Sequence, residues 1–332
     1  MKDRADLSTS YNGSRVLVLG ASGFIGRWVA RSLIQAGAKL VAAVRDPKAF
    51  ALIAARWQID AEVKAFDATD AATVGPLIRD SEPEFLFNLV GYGVDRQETE
   101  PRLFEQLNHE FVRQLAFVVM ESKSSRSSQQ ALRVVHVGSA LEYGLLDGVA
   151  TENSAVRPHT LYGRTKLAGT MALQDLGRKG NLDAVTARVF TVFGPGEQET
   201  RLLPAIRRAA AEGSVVRLTA GTQRRDFCYV EDVAEGLLRL GICEGTAGEI
   251  VNLASGRMTS VRDFALVAAD VLGLSDDRLE FGAEPARADE MRISGVDINR
   301  LALLTGWTPP QDLEEGLRRA AAFEEHLEQE RS

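Results

Sequence analysis

Cysteine is scarce in this chain. Cys228 and Cys243 are the only two among 332 residues, and they form no C-x-x-C pair. Two thiols in so long a chain indicate a reducing compartment. Histidine is also rare, with four residues and no H-x-x-H spacing, so no metal site is expected. No stretch approaches the roughly 18 apolar residues that a membrane span needs. Lysine and arginine form no block, and the formal net charge is −7. Nucleic-acid binding therefore has no electrostatic footprint. Residues 1–13 are polar, lack the apolar segment of a signal peptide, and read as a loose tail. The expected location is the cytoplasm. No internal repeat is visible.

What is present is a globular composition, 45% hydrophobic and 26% charged. The length exceeds a typical single domain but fits a doubly wound sheet with a smaller lobe. The organising stretch is Val16-Leu-Val-Leu-Gly-Ala-Ser-Gly-Phe-Ile-Gly26. Four apolar residues predict a short buried strand; glycines follow at 20, 23 and 26, and Trp28, Val29, Leu33 and Ile34 fall at helical spacing. Strand, glycine turn and helix N-terminus together bind a pyrophosphate. The first glycine permits the tight turn, the second a close backbone approach, and the third helix-on-strand packing.

Strand-like runs at 15–19, 39–44, 62–66, 85–90, 133–138 and 183–190 alternate with helical patterns at about 24–36, 47–56, 71–80, 100–121 and 159–179. This alternation predicts a Rossmann-type doubly wound parallel α/β sheet. Residues 122–130 read as a flexible loop. After Gly194-Pro-Gly196 the pattern predicts helices at 202–211, 230–241, 260–273 and 312–330, with strands at 215–218, 249–253 and 279–281. The division expected is a dinucleotide-binding domain over 14–190 plus about 225–255, and a smaller C-terminal α/β substrate lobe over 191–224 and 256–330.

In a dinucleotide fold, an acidic side chain about 20 residues past the glycines binds the ribose 2′-hydroxyl. Here Val44 closes the second strand and Arg45-Asp46-Pro47 follows. The forked donors of Arg45 suit a 2′-phosphate, which favours NADP. On the other reading Arg45 is a surface residue, Asp46 takes the ribose, and the cofactor is NAD. Asp67 ends the third strand, where its carboxylate would accept from the adenine amino group; Asp67 or Asp70 would equally cap the next helix.

Tyr162 and Lys166 stand four apart, on one face of a predicted helix. A free tyrosine titrates near ~10, and a neighbouring ammonium favours phenolate, making a usable acid/base. Ser139 closes the fifth strand, at the end where such sheets place reactive groups. Its other reading is a turn residue, and for Tyr162 a packed helix residue. His136, inside that strand, reads as a packed histidine.

At this point the chain resembles the extended short-chain dehydrogenase/reductases, in their sugar-nucleotide epimerase/dehydratase/reductase group. The likeness runs from about Arg15 to Leu317. It rests on Gly20-Ala-Ser-Gly-Phe-Ile-Gly26, Gly138-Ser-Ala-Leu-Glu-Tyr-Gly144, Leu161-Tyr-Gly-Arg-Thr-Lys166, Val189-Phe-Thr-Val-Phe-Gly-Pro-Gly196 and Arg224-Arg-Asp-Phe-Cys-Tyr-Val-Glu-Asp-Val-Ala234. The resemblance implies that Tyr162 is the acid/base, that Lys166 binds the nicotinamide ribose and tunes Tyr162, and that Ser139 holds the sugar oxygen. The residues it sets against the cofactor are Gly20, Ser22, Gly23, Phe24, Ile25, Gly26, Arg45, Asp67, Ala68, Leu89 and Gly91, with Tyr162 and Lys166. Arg225 and Arg287 match arginines that grip a substrate diphosphate, a sound pairing for two guanidiniums. Thr191 stands where an asparagine commonly meets the substrate phosphates, and Asn108 matches an asparagine near the active site. Asn88 replaces a frequent histidine on the fourth strand, and Tyr92 lies where sugar and nicotinamide would meet. Members often form homodimers through a bundle that includes the Tyr-Lys helix.

One departure narrows the function. Dehydratases of the group carry an Asp-Glu or x-Glu pair directly after the active Ser/Thr; here Ala140 and Leu141 stand there, and Glu142 comes one residue later. It would point to the other face if the strand continued. A 4,6-dehydratase is thus disfavoured. The leading expectation is an NADP-dependent 4-ketoreductase of a 4-keto-6-deoxy sugar nucleotide. An NAD-dependent 4-epimerase and a non-catalytic dinucleotide sensor are the alternatives.

Overall fold

Strand β1 (Arg15–Leu19) is buried on both sides, with Val16 and Val18 in one apolar cluster and Leu17 and Leu19 in another. A strand covered on both faces presents no polar side, which explains its unbroken apolar run. In this computed structural model, which describes residues 7–94, 97–122, 132–285 and 293–329, the chain continues through β2 (Lys39–Val44), β3 (Glu62–Ala65), β4 (Phe85–Asn88), β5 (Arg133–Ser139), β6 (Val149–Ala150), β7 (Ala184–Val189), β8 (Thr191–Phe193), β9 (Val216–Leu218), β10 (Arg224–Tyr229), β11 (Glu249–Leu253), β12 (Met258–Ser260), β13 (Leu279–Phe281) and β14 (Gly295–Val296). The main sheet is parallel, in the order β11-β7-β5-β4-β1-β2-β3. From β1 the chain first steps outward to β2 and β3, then returns to lay β4, β5, β7 and β11 on the other side. The order reverses between β1 and β4, and in such sheets the crevice beyond that switch point holds the ligand.

The N-terminal residues depart from the expected loose tail. Leu7–Tyr11 forms helix α1, and Tyr11 is fully buried with its hydroxyl donating to the Leu238 carbonyl at 2.7 Å. Residues 1–6 lie outside the described residues. Helix α2 (Phe24–Gln35) follows the glycine turn and buries Trp28, Val29 and Leu33. Next come α3 (Pro47–Arg56), α4 (Val74–Ser81), α5 (Pro101–Glu105), a π-helical turn at Gln106–Glu110 and α6 (Phe111–Ser122). The expected flexible loop starts one residue too early, since Ser122 is buried as the last residue of α6; residues 123–131 lie outside the described part. Helices α7 (Leu161–Arg178), α8 (Leu202–Glu212), α9 (Val230–Gly241), α10 (Val261–Leu272), α11 (Asn299–Thr305) and α12 (Leu313–Gln329) complete the chain.

Residues of α4, α6 and α7 share one core cluster, while α2 and α9 lie in the other. Beyond Phe190, strands β12-β10-β8 form a small mixed sheet beside the pairs β13-β9 and β14-β6. The stretch Val230–Leu253 returns to the main body, with α9 packed on α2 and β11 paired to β7. One apolar core runs through both parts. Trp28 meets Trp57 edge-on at 5.2 Å and Phe323 of α12 at 4.5 Å, and its indole N–H donates to the Pro195 carbonyl at 2.9 Å. Among the described residues, no helix is long and apolar enough to cross a membrane.

Candidate active site

The glycine turn sits at the switch point. Gly20 has φ +82°, in the region that favours glycine, and a Cβ there would lie 3.2 Å from the Leu89 carbonyl carbon. At Gly26 a Cβ would lie 2.1 Å from the Gly20 oxygen, so the first turn of α2 can rest on the loop only without a side chain. Gly23 caps α2 in extended conformation with no side-chain acceptor over the helix end. The amides around Ser22, Phe24 and Ile25 thus open a helix N-terminus of the kind that receives phosphate. This cradle fits a dinucleotide pyrophosphate.

Arg45 is exposed directly after β2. Asp46 is committed elsewhere: its Oδ1 accepts from the amides of Lys48 and Ala49 at 2.9 and 3.0 Å, capping α3. Asp67 accepts from the Thr69 amide and hydroxyl at 2.9 and 2.8 Å, and these bonds hold its carboxyl below the usual range. Asp70 accepts from the Ala72 amide at 3.1 Å. Both aspartates therefore order the turn after β3, with Ala68 buried between them.

Ser139 is the last residue of β5 and caps a single 3₁₀ turn, Ala140–Glu142, its Oγ accepting from the Leu141 amide at 3.2 Å. It is both a turn residue and a hydroxyl at the sheet's C-terminal edge. Thr160 caps α7 through the Gly163 amide at 3.0 Å, which places Tyr162 in the first helical turn. Gly163 lets that turn press on the 3₁₀ turn, since a Cβ would lie 2.4 Å from the Leu141 oxygen. The Ser139 and Tyr162 hydroxyls are thereby brought within hydrogen-bonding reach.

Lys166, one turn on, is buried and its Nζ donates to the Val137 carbonyl at 2.6 Å. Burial pushes its ammonium down to about 8, opposed by the charge of Glu142. Burial also pushes the Tyr162 phenol up, to about 12, against the hydrogen bond from Ser139. This corrects the expectation that Lys166 lowers Tyr162: the ammonium is bonded to strand β5, and desolvation dominates the phenol. The Tyr162 phenol therefore keeps its proton at pH 7.

The loop after β4 is fixed from below. Asn88 bonds the buried His136 ring at 3.1 Å and accepts from the Val90 amide at 3.2 Å. Burial holds His136 neutral, as a packed residue. Asn108, in the π-helical turn, accepts from the Tyr92 amide at 2.9 Å and donates to the Tyr92 carbonyl at 2.8 Å. These bonds hold Gly91 over the lysine, the Cβ position of Gly91 lying 3.9 Å from the Lys166 Nζ.

The chain does not continue as a strand past Ser139, the condition under which Glu142 would point to the other face. The strand ends there, and the 3₁₀ turn buries Glu142 completely against Arg188 of β7 at 2.8 Å. Sequence reasoning missed this pair, although a charge inside the apolar strand Ala184–Val189 was a signal that a buried counter-ion must exist. Thr191 opens β8 opposite Phe227 of β10, and Arg225 is half-buried in β10 opposite Thr259. Both belong to the small sheet. Arg287 lies outside the described residues. Among those described, no group of three or more His, Cys, Asp or Glu is placed to hold a metal ion.

A parallel sheet with a phosphate cradle at its switch point and Ser139, Tyr162 and Lys166 at its C-terminal edge defines a dinucleotide-dependent enzyme. The chain belongs to the NAD dependent epimerase/dehydratase family, whose model matches residues 16–254. It is 28% identical over 320 residues to the dTDP-6-deoxy-L-talose 4-dehydrogenase (NAD(P)(+)) of Kitasatospora kifunensis, covering 92% of this chain and 94% of that one. It is also 28% identical over 320 residues to the UDP-glucose 4-epimerase of Mycolicibacterium smegmatis, covering 93% and 98%. Among solved structures, MoeE5 in complex with UDP-glucose and NAD superposes with a TM-score of 0.78 at 26% identity, covering 93% of this chain and 98% of that one.

Proposed function

We propose that this protein is an NADP-dependent reductase of a keto group on a nucleotide-diphosphate sugar, acting at C4 of a 4-keto-6-deoxy sugar. The observation that carries this reading is the placing of the Tyr162 phenol in the first turn of α7, beside Ser139 at the C-terminal end of β5, since reduction of a carbonyl requires a proton donor at its oxygen. A bound nicotinamide supplies the hydride. Ser139 and Tyr162 hydrogen-bond the keto oxygen, and Tyr162 delivers its proton as negative charge develops there. The Lys166 ammonium would bond the nicotinamide ribose. Thr191, Arg225 and Arg287 would hold the sugar nucleotide, the arginines through its diphosphate. Gly20 to Gly26, Ala68, Leu89 and Gly91 would line the cofactor site. Exposed Arg45, with Asp46 occupied as a helix cap, supports NADP over NAD.

A dehydration is disfavoured because Ala140 and Leu141 have no acid or base group to move a proton and Glu142 is engaged behind the serine. The 28% identity to a 4-epimerase keeps a second reading, an NAD-dependent 4-epimerase. Incubation with NADPH and UDP-, dTDP- and GDP-linked 4-keto-6-deoxyhexoses separates the two. NADPH oxidation supports the reductase. Co-purification of tightly bound NAD, with no NADPH consumed on any of these substrates, supports the epimerase. We also infer a homodimer, because Phe117 on α6 and Met171 on α7 are large exposed apolar side chains on two packed helices. Two thiols unpaired with each other agree with a cytoplasmic location.

A further inference from the structure

One carboxylate oxygen joins the two elements that carry the reacting hydroxyls. Glu142 Oε1 accepts from the Ser139 amide at 2.8 Å and from the Thr170 hydroxyl at 3.0 Å, two turns beyond Tyr162 on α7. Its other oxygen accepts from Arg188 Nε at 2.8 Å. The arginine in turn lies 4.6 Å over the Tyr143 ring. Gly138 exists to admit this carboxylate, as a Cβ there would stand 2.6 Å from Oε1. A charged group so completely buried is costly unless it is paired and hydrogen-bonded, and apolar replacement of such a pair is often neutral for stability.

We propose that Glu142 is the positioning residue of the active site, setting the spacing of Ser139 against Tyr162 and Lys166 by tying the end of β5 to α7. It touches none of the reacting atoms. Its charge also favours the protonated form of Lys166, so geometry and electrostatics act in one direction. This inference rests on the reading of Ser139, Tyr162 and Lys166 as catalytic.

The test uses the full chain in four variants: Glu142→Gln, Glu142→Gln/Arg188→Met, Thr170→Val and, as reference, Tyr162→Phe. Glu142→Gln leaves a buried guanidinium without its counter-charge and is the one at risk of unfolding. The double variant removes both charges, and Thr170→Val cuts only the tie to α7. Melting curves and NADPH affinity establish which variants fold. In those that do, kcat is expected to fall about tenfold or more with KM nearly unchanged, as befits a loss confined to the transition state. The Lys166 side-chain titration, read by NMR without substrate, is expected to move down by about one pH unit in Glu142→Gln. Wild-type kcat and an unmoved Lys166 titration in a folded variant overturn the inference. So does unfolding of all three, which would make Glu142 a purely structural group. Full activity in Tyr162→Phe overturns instead the catalytic reading beneath it.

Discussion

Replacing Tyr162 by phenylalanine removes one oxygen from a helix turn whose backbone is set by Thr160 and Gly163. Cofactor affinity is expected to survive, while kcat for keto-sugar reduction falls about 10³-fold, the scale of a lost general acid. The pH dependence follows from Lys166, whose value is depressed from 10.5 to about 8. It is charged below that pH and neutral above it, so the reductive rate is expected to hold to about pH 8 and fall beyond. Arg45→Ala should weaken NADPH binding about tenfold or more and leave NADH nearly unchanged, measured by fluorescence titration. Loss of affinity for both cofactors alike would remove Arg45 from the 2′-phosphate. Ser139, Tyr162 and Lys166 were legible because each sits at a fixed place in a strand-turn-helix pattern. Glu142 was not, because its meaning depends on a 3₁₀ turn that folds it back onto Arg188 of β7, and nothing in Gly138-Ser-Ala-Leu-Glu announces that partner. The direction of the Tyr162 shift was misread for a related reason: spacing puts a lysine near a tyrosine, but only packing decides which partner the ammonium takes.

At the scale of elements, the π-helical turn is the feature that periodicity concealed. The predicted helix over 100–121 is one pattern, yet its middle widens at Gln106–Glu110 and brings the Asn108 carbonyl against α7. Gly169 receives it there; a Cβ would stand 2.2 Å from that oxygen. Gly169→Ala is therefore expected to destabilise the protein by about 1–3 kcal/mol in urea unfolding, the usual cost of overpacking. Widened turns of this kind gather at functional sites, and here Asn108 holds the Tyr92 loop above Lys166. Helix α1 was hidden by its composition: five residues rich in serine and threonine carry one anchor, Tyr11. Removing its buried hydroxyl in Tyr11→Phe should cost about 1 kcal/mol, one buried hydrogen bond. The β-strands of the main sheet were legible nearly to the residue, most of them because burial on both faces leaves apolar runs with sharp ends; β3, at the sheet edge, is only partly buried. The strands β6, β8, β10, β12 and β14 were not: β6, β8, β12 and β14 have only two or three residues, and the six of β10 mix charged and apolar side chains.

For the whole molecule, titration links the fold to its surroundings. Burial raises the Glu197 carboxyl from 4.5 to about 7 and Asp226 from 3.8 to about 6. Each binds its proton more tightly folded than unfolded, so each favours the folded state in acid and loses that contribution as pH rises from about 4 to the folded value, about 6 for Asp226 and about 7 for Glu197. Glu197→Gln should accordingly gain melting temperature relative to the parent at pH 8, with the gain shrinking towards pH 5. Because Trp28, Trp57 and Phe323 of α12 share one core, a single unfolding transition is expected in calorimetry. The measurement that most directly tests the central claim is NADPH oxidation by the purified protein on 4-keto-6-deoxy sugar nucleotides, run beside Tyr162→Phe. Steady oxidation is expected with at least one of the UDP-, dTDP- or GDP-linked substrates, with its near-complete loss in the variant. No oxidation with any of them, or equal rates in both proteins, would contradict it.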